Sequence, residues 1–143
     1  MLADTAPGVA AVAAWACGER PDAGPEIVAA LRGMALDHDE PLCREAAIAA
    51  LGAIGDPAGL DAVLAGTHDK PAVRRRAVVS LAAFEGPEVD AALRRALGDR
   101  DWQVRQAAED LLEAGGDAEP RRTADERNRA RLDPNRPTAP ESP

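Results

Sequence analysis

Apolar residues recur at intervals of three and four along most of this chain, the period of a single buried helix face. The clearest stretch runs from Pro41 to Pro57, with Cys43, Ala47 and Leu51 on one side of the expected helix. Setting Arg44, Arg74 and Arg105 in one column brings Cys43, Val73 and Val104 together one residue before it. Ala47, Ala77 and Ala108 then follow three residues after the arginine, and Leu51, Leu81 and Leu112 seven after. Each copy is preceded by another apolar row: Ile27, Leu31 and Met34; Leu60, Val63 and Leu64; Val89, Ala92, Leu93 and Leu97. Pro25, Pro57 and Pro87 open these rows, as suits a first helical residue whose amide has no intrahelical partner. Asp37, Asp69 and Asp99 each fall twelve residues after the proline, at the turn. Leu51-Gly52-Ala53-Ile54-Gly55-Asp56-Pro57 is a stop signal, glycine near the helix end and proline opening the next element.

Three such units, at 25–56, 57–86 and 87–117, predict an all-α fold, an α-solenoid of antiparallel helix pairs. In the segment 1–24, the apolar run Val9 to Cys17 is too short to cross a bilayer, which needs ~20 residues, and is read as an N-terminal capping helix. No secretory leader is expected, because Asp4 and no Lys or Arg precedes the run. Bulky Trp15 fits a lipid-processing site before Cys17 badly. Beyond the repeats, 118–143 reads as a disordered Pro/Arg-rich tail with one weakly helical island, Thr123 to Leu132.

The unit resembles a HEAT repeat of the phycobilin-lyase-like subgroup. Pro41-Leu42-Cys43-Arg44-Glu45-Ala46-Ala47, the stop at Leu51–Pro57, and the pairs Val73-Arg74 and Val104-Arg105 with their downstream leucines carry the resemblance. It implies that a turn aspartate of one unit pairs with the arginine of another, so that Asp37, Arg44, Asp69, Arg74, Asp99 and Arg105 form a structural ladder. Asp39 and Asp101 are alternative acids for the first and last turns. The resemblance also implies that second helices line a concave binding side. If Ala47 and Leu51 face inward, the outward positions of that side are Glu45, Ala46 and Ala49; Arg75, Arg76 and Val79; and Gln106, Ala107 and Asp110.

Composition narrows the function. Hydrophobic residues make up 45% of the chain and aromatic residues only 2%, so the core must be Ala, Leu, Val and Ile, tightly packed and poor in the deep pockets enzymes use. Residues 1–119 hold 11 basic against 21 acidic side chains and 120–143 hold 6 against 4, giving a body repelled by nucleic acid and by anionic membranes. Neither is therefore an expected partner. Cys43, sharing a column with Val73 and Val104, reads as a small buried hydrophobe rather than half of a redox pair with Cys17. The residues after each column arginine are Glu45-Ala46, Arg75-Arg76 and Gln106-Ala107, which lack the His-Glu pairs of HEAT-type di-iron hydroxylases. His38 and His68 stand near turns without a second histidine at ligand spacing, so neither metal nor cofactor is expected.

In the last unit, Glu109, Asp110 and Glu113 make the polar outer face of a cap, and Trp102 is expected to pack on its turn. These readings describe a non-catalytic, cytoplasmic scaffold or adaptor that binds a protein partner through Glu45, Ala49, Arg75, Arg76, Val79, Gln106 and Asp110. The rival that the resemblance implies is a lyase, or a lyase accessory factor, acting on a tetrapyrrole. The partner's identity and the oligomeric state lie beyond these residues.

Overall fold

The computed structural model describes residues 23–116, together with Gly8, Ala13, Ala14 and Ala16. From Pro25 onward the chain forms six α-helices: α1 (Pro25–Asp37), α2 (Pro41–Ile54), α3 (Leu60–Gly66), α4 (Pro71–Ser80), α5 (Pro87–Ala96) and α6 (Trp102–Gly116). Two 3-10 turns, Pro57–Gly59 and Leu81–Ala83, complete the regular structure, and no strand occurs among the described residues. Gly8, Ala13, Ala14 and Ala16 are helical, and Ala14 is fully buried in the core shared with the repeats. The rest of the expected capping helix and the tail from residue 117 lie outside the described residues.

Proline starts α1, α2, α4 and α5 without any side-chain cap, because its missing N–H removes one of the donors a cap would have to satisfy. Unit two departs from the expectation that Pro57 opens its first helix. There Asp56 Oδ1 accepts from the Ala58 amide at 2.8 Å, Pro57 begins a 3-10 turn, and α3 starts only at Leu60. Buried Gly59 sits at the junction against Leu51, where an added Cβ would come within 2.9 Å of Leu51 Cδ2.

The helix ends follow from single residues. Gly55 closes α2 in the left-handed region at φ 69°, its amide donating to the Leu51 carbonyl at 2.9 Å. In unit two the matching position holds Glu85, whose Cβ disfavours that conformation. The chain leaves α4 through the 3-10 turn instead, and the positive φ, 127°, passes to Gly86.

The core is one cluster of Ala, Val, Leu and Ile that runs through all three pairs, with Phe84 its one aromatic member among the described residues. Val28 and Leu31 come from α1, Cys43, Ala47, Ile48 and Leu51 from α2, and Val73, Ala77 and Val78 from α4. Val89 and Leu93 of α5 and Val104 and Ala108 of α6 extend it to the end of the stack. Small residues set the closeness of the layers. Gly52 lets Ser80 lie against α2, with its hydroxyl donating to the Ile48 carbonyl at 3.3 Å.

The second helices α2, α4 and α6 pack in an unbroken row, whereas the first helices α3 and α5 scarcely meet. The second helices thus form the continuous row of the stack, referred to below as its inner row.

Candidate functional site

The inner row carries two kinds of arginine. Arg44 and Arg74, in the column that opens α2 and α4, turn back toward the inter-helix turns and are mostly covered. Arg75 and Arg76, one and two positions on, point away from the core because a helix advances about 100° per residue.

Each column arginine works as a three-point clamp. Arg44 Nη1 donates to the carbonyls of His38 and Asp39 in its own turn, at 2.7 and 2.9 Å. Its Nε and Nη2 grip both oxygens of Asp69 in the next unit, at 2.7 Å each. Arg74 repeats the arrangement: Nη1 donates to the Asp69 carbonyl at 2.9 Å, while Nε and Nη2 reach Asp99 at 2.9 and 2.8 Å. The carboxylates also hold the next helix starts, Asp69 accepting from the Lys70 amide at 2.6 Å and Asp99 from the Asp101 amide at 2.9 Å. The hydrogen-bonded guanidinium holds each of these two carboxyls below the usual carboxylate range, against the opposing effect of burial.

At the ends of the column the described residues supply only part of the clamp. Arg105 Nη1 donates to the Asp99 carbonyl at 2.8 Å, but its Nε and Nη2 meet no carboxylate among the described residues. Asp37 stands exposed at the end of α1 and makes no ion pair among the described residues, and Asp39 offers its carbonyl to Arg44. A second inter-unit pair joins the first-helix row, where Arg32 Nε donates to Asp61 Oδ1 at 2.7 Å and Nη2 bonds Oδ2. This pair has no repeating column, so periodicity could not reveal it.

The outward positions of α4 and α6 border a shallow groove of about 360 Å³, lined by Arg75, Val79, Trp102, Gln103, Gln106, Ala107, Asp110 and Leu111. Its apolar part is contributed by Val79, Ala107, Leu111 and the Trp102 ring. Trp102 is 65% exposed, and Val79 is also exposed for a large apolar side chain. The expectation that Trp102 packs on its turn is thus corrected. It opens α6 at the first helical position, where no preceding helical turn covers it, and projects beside Gln103 on the groove's rim.

Arg75 lines the groove, and Arg76 follows it on α4 in the neighbouring depression. Arg76 Nε approaches Glu45 Oε1 at 3.5 Å, while Arg75 makes no ion pair among the described residues. On the opposite edge Gln106 Nε2 donates to Asp110 Oδ1 at 2.9 Å. Glu45, Arg75, Arg76 and Val79 continue the surface into a smaller depression between α2 and α4. Ala49 is half-buried on α2 beside it. Another depression, floored by Arg74 and Asp99 and rimmed by His68, Arg95 and Arg100, is polar and belongs to the turns.

Among the described residues no group of His, Cys, Asp and Glu could hold a metal ion, and no helix is long and apolar enough to cross a membrane. Cys43 is fully buried, and burial, then the charge of Glu40, pushes its thiol up, which favours the protonated form.

Stacked antiparallel helix pairs, clipped across units by guanidinium–carboxylate pairs, define an α-solenoid. A family model described as HEAT repeats matches residues 1–72 and 63–113, and the chain belongs to the HEAT-repeat family. Comparison with curated proteins found no match.

Proposed function

We propose that this protein is a non-catalytic HEAT-repeat scaffold or adaptor that binds a protein partner on the inner face of α2, α4 and α6. The observation that carries the reading is Trp102, 65% exposed beside exposed Val79 in a groove on that face. An indole left in water next to an aliphatic wall is the kind of residue that dominates binding energy once a partner covers it. The surface around it is shallow and built from side chains of two helices, α4 and α6, which suits a macromolecule better than a small substrate. The finer family placement, in the phycobilin-lyase-like subgroup, rests on the Arg44-Glu45-Ala46-Ala47 and Leu51–Pro57 signature. We read the location as cytoplasmic, in keeping with a cysteine count of two, too few to make a disulfide framework.

The test compares the two rows of helices. Proteins captured by the full chain should be lost with Trp102→Ala and Val79→Asp on the inner row, and retained with Leu97→Asp, an exposed position after α5. Circular dichroism of each variant establishes that the fold persists. Capture that survives both inner-row changes but fails with Leu97→Asp overturns the assignment of the binding face.

A further inference from the structure

The chemistry of the groove selects among protein partners. The apolar surface of Val79, Ala107 and Trp102 asks for an aliphatic or aromatic side chain. The polar groups at its edges are unequally committed. Asp110 has one oxygen occupied by Gln106, and Glu45 lies within reach of Arg76, whereas Arg75 lines the groove without an ion pair among the described residues. An incoming carboxylate therefore finds an unused guanidinium fork, and an incoming ammonium finds carboxylates already partly engaged. Binding a carboxylate beside Trp102 satisfies Arg75 with charge-assisted hydrogen bonds while the neighbouring apolar contact excludes water from them.

We propose that this groove takes an acidic, apolar-anchored segment of a partner protein, seating one aliphatic or aromatic side chain on Trp102 and Val79 and one carboxylate on Arg75. The proposal rests on the inner-face reading above and adds the chemical class of the partner. Because the body is acidic in sum, the segment's long-range approach is disfavoured, so its seating depends on the local contacts with Arg75, Trp102 and Val79.

The experiment titrates the full chain with two short amidated peptides, one built from Glu and Leu in a helical repeat and one with Lys replacing every Glu. The readout is the Trp102 indole N–H resonance in a 15N spectrum, assigned by its loss in Trp102→Phe. The Glu/Leu peptide should shift that resonance and bind at least about tenfold more tightly than the Lys/Leu peptide. Arg75→Glu should invert the preference without unfolding the chain, since Arg75 is exposed. Equal binding of the two peptides, an uninverted preference in Arg75→Glu, or no Trp102 shift with the Glu/Leu peptide overturns the proposal. Tighter binding of the Lys/Leu peptide at Trp102 overturns the acidic partner while leaving the inner face as the binding surface. Loss of that face itself is read separately, from capture that ignores Trp102→Ala and Val79→Asp.

Discussion

At the scale of single residues, the closeness of the layers depends on hydrogen atoms where other residues carry side chains. A Cβ on Gly52 would lie 2.7 Å from both Cβ and Oγ of Ser80 and 3.1 Å from its Cα, so Gly52→Ala must push α4 away from α2. The expected loss is about 1–3 kcal/mol, as for other overpacked cores, read from the midpoint of urea unfolding. Gly33 sits inside α1 with nothing within 4 Å of an added Cβ. There Gly33→Ala should stabilise by about 0.5–1 kcal/mol through helix propensity alone. Leu81 is 1% exposed at the heart of the cluster, and Leu81→Ala should lower stability by ~2–5 kcal/mol. The column of Leu51 and Leu81 was legible in the sequence because burial on a helix follows its period. Trp102 was not, because its surroundings depend on what the start of α6 fails to cover, and spacing carries no information about an absent neighbour.

At the scale of elements, adjacent arginines on α4 should behave as different kinds of residue. Arg74→Ala removes the guanidinium that covers Asp99 and ties two turns together, with side-chain exposures of 7% and 15% in the pair. Leaving that carboxylate partly buried and unpaired should cost about 3 kcal/mol or more, whereas Arg75→Ala should leave the unfolding midpoint within about 0.5 kcal/mol of the parent. The Asp99 carboxyl titrates below its unfolded value, so the pair stabilises the fold above about pH 4 and the contribution is lost as pH falls through the depressed folded pKa. Thermal unfolding of Asp99→Asn should therefore decline less than the parent between neutral and strongly acidic pH. The alignment of Arg44, Arg74 and Arg105 pointed to this column, but the direction of each clamp required the structure. So did the split of the second unit's opening into a 3-10 turn and α3, where buried Gly59 lies against Leu51.

At the scale of the whole molecule, the clamps point the same way along the stack, each arginine holding the aspartate of the unit that follows, 25 residues later in sequence. Units are thereby joined in order by one repeated interval. All-helical stacking was legible from a repeat whose copies share the helical period, whereas the choice of the second helices as the binding side came from the family resemblance. The groove was legible only in part, because Arg75, Val79, Gln106 and Asp110 could be placed outward while their union with Trp102 depends on the packing of α4 on α6. In the last clamp Arg105 Nη1 holds the Asp99 carbonyl, while its Nε and Nη2 meet no carboxylate among the described residues. Glu109 and Glu113 stand exposed on the same helix, a polar face that opposes the docking of an apolar helix pair. With those two glutamates replaced by apolar residues, an appended helix pair carrying an aspartate at the repeat's own interval should seat on Arg105 and raise the melting temperature. The number of layers then becomes a quantity an engineer can set, with the protein supplying its own rule for adding the next one.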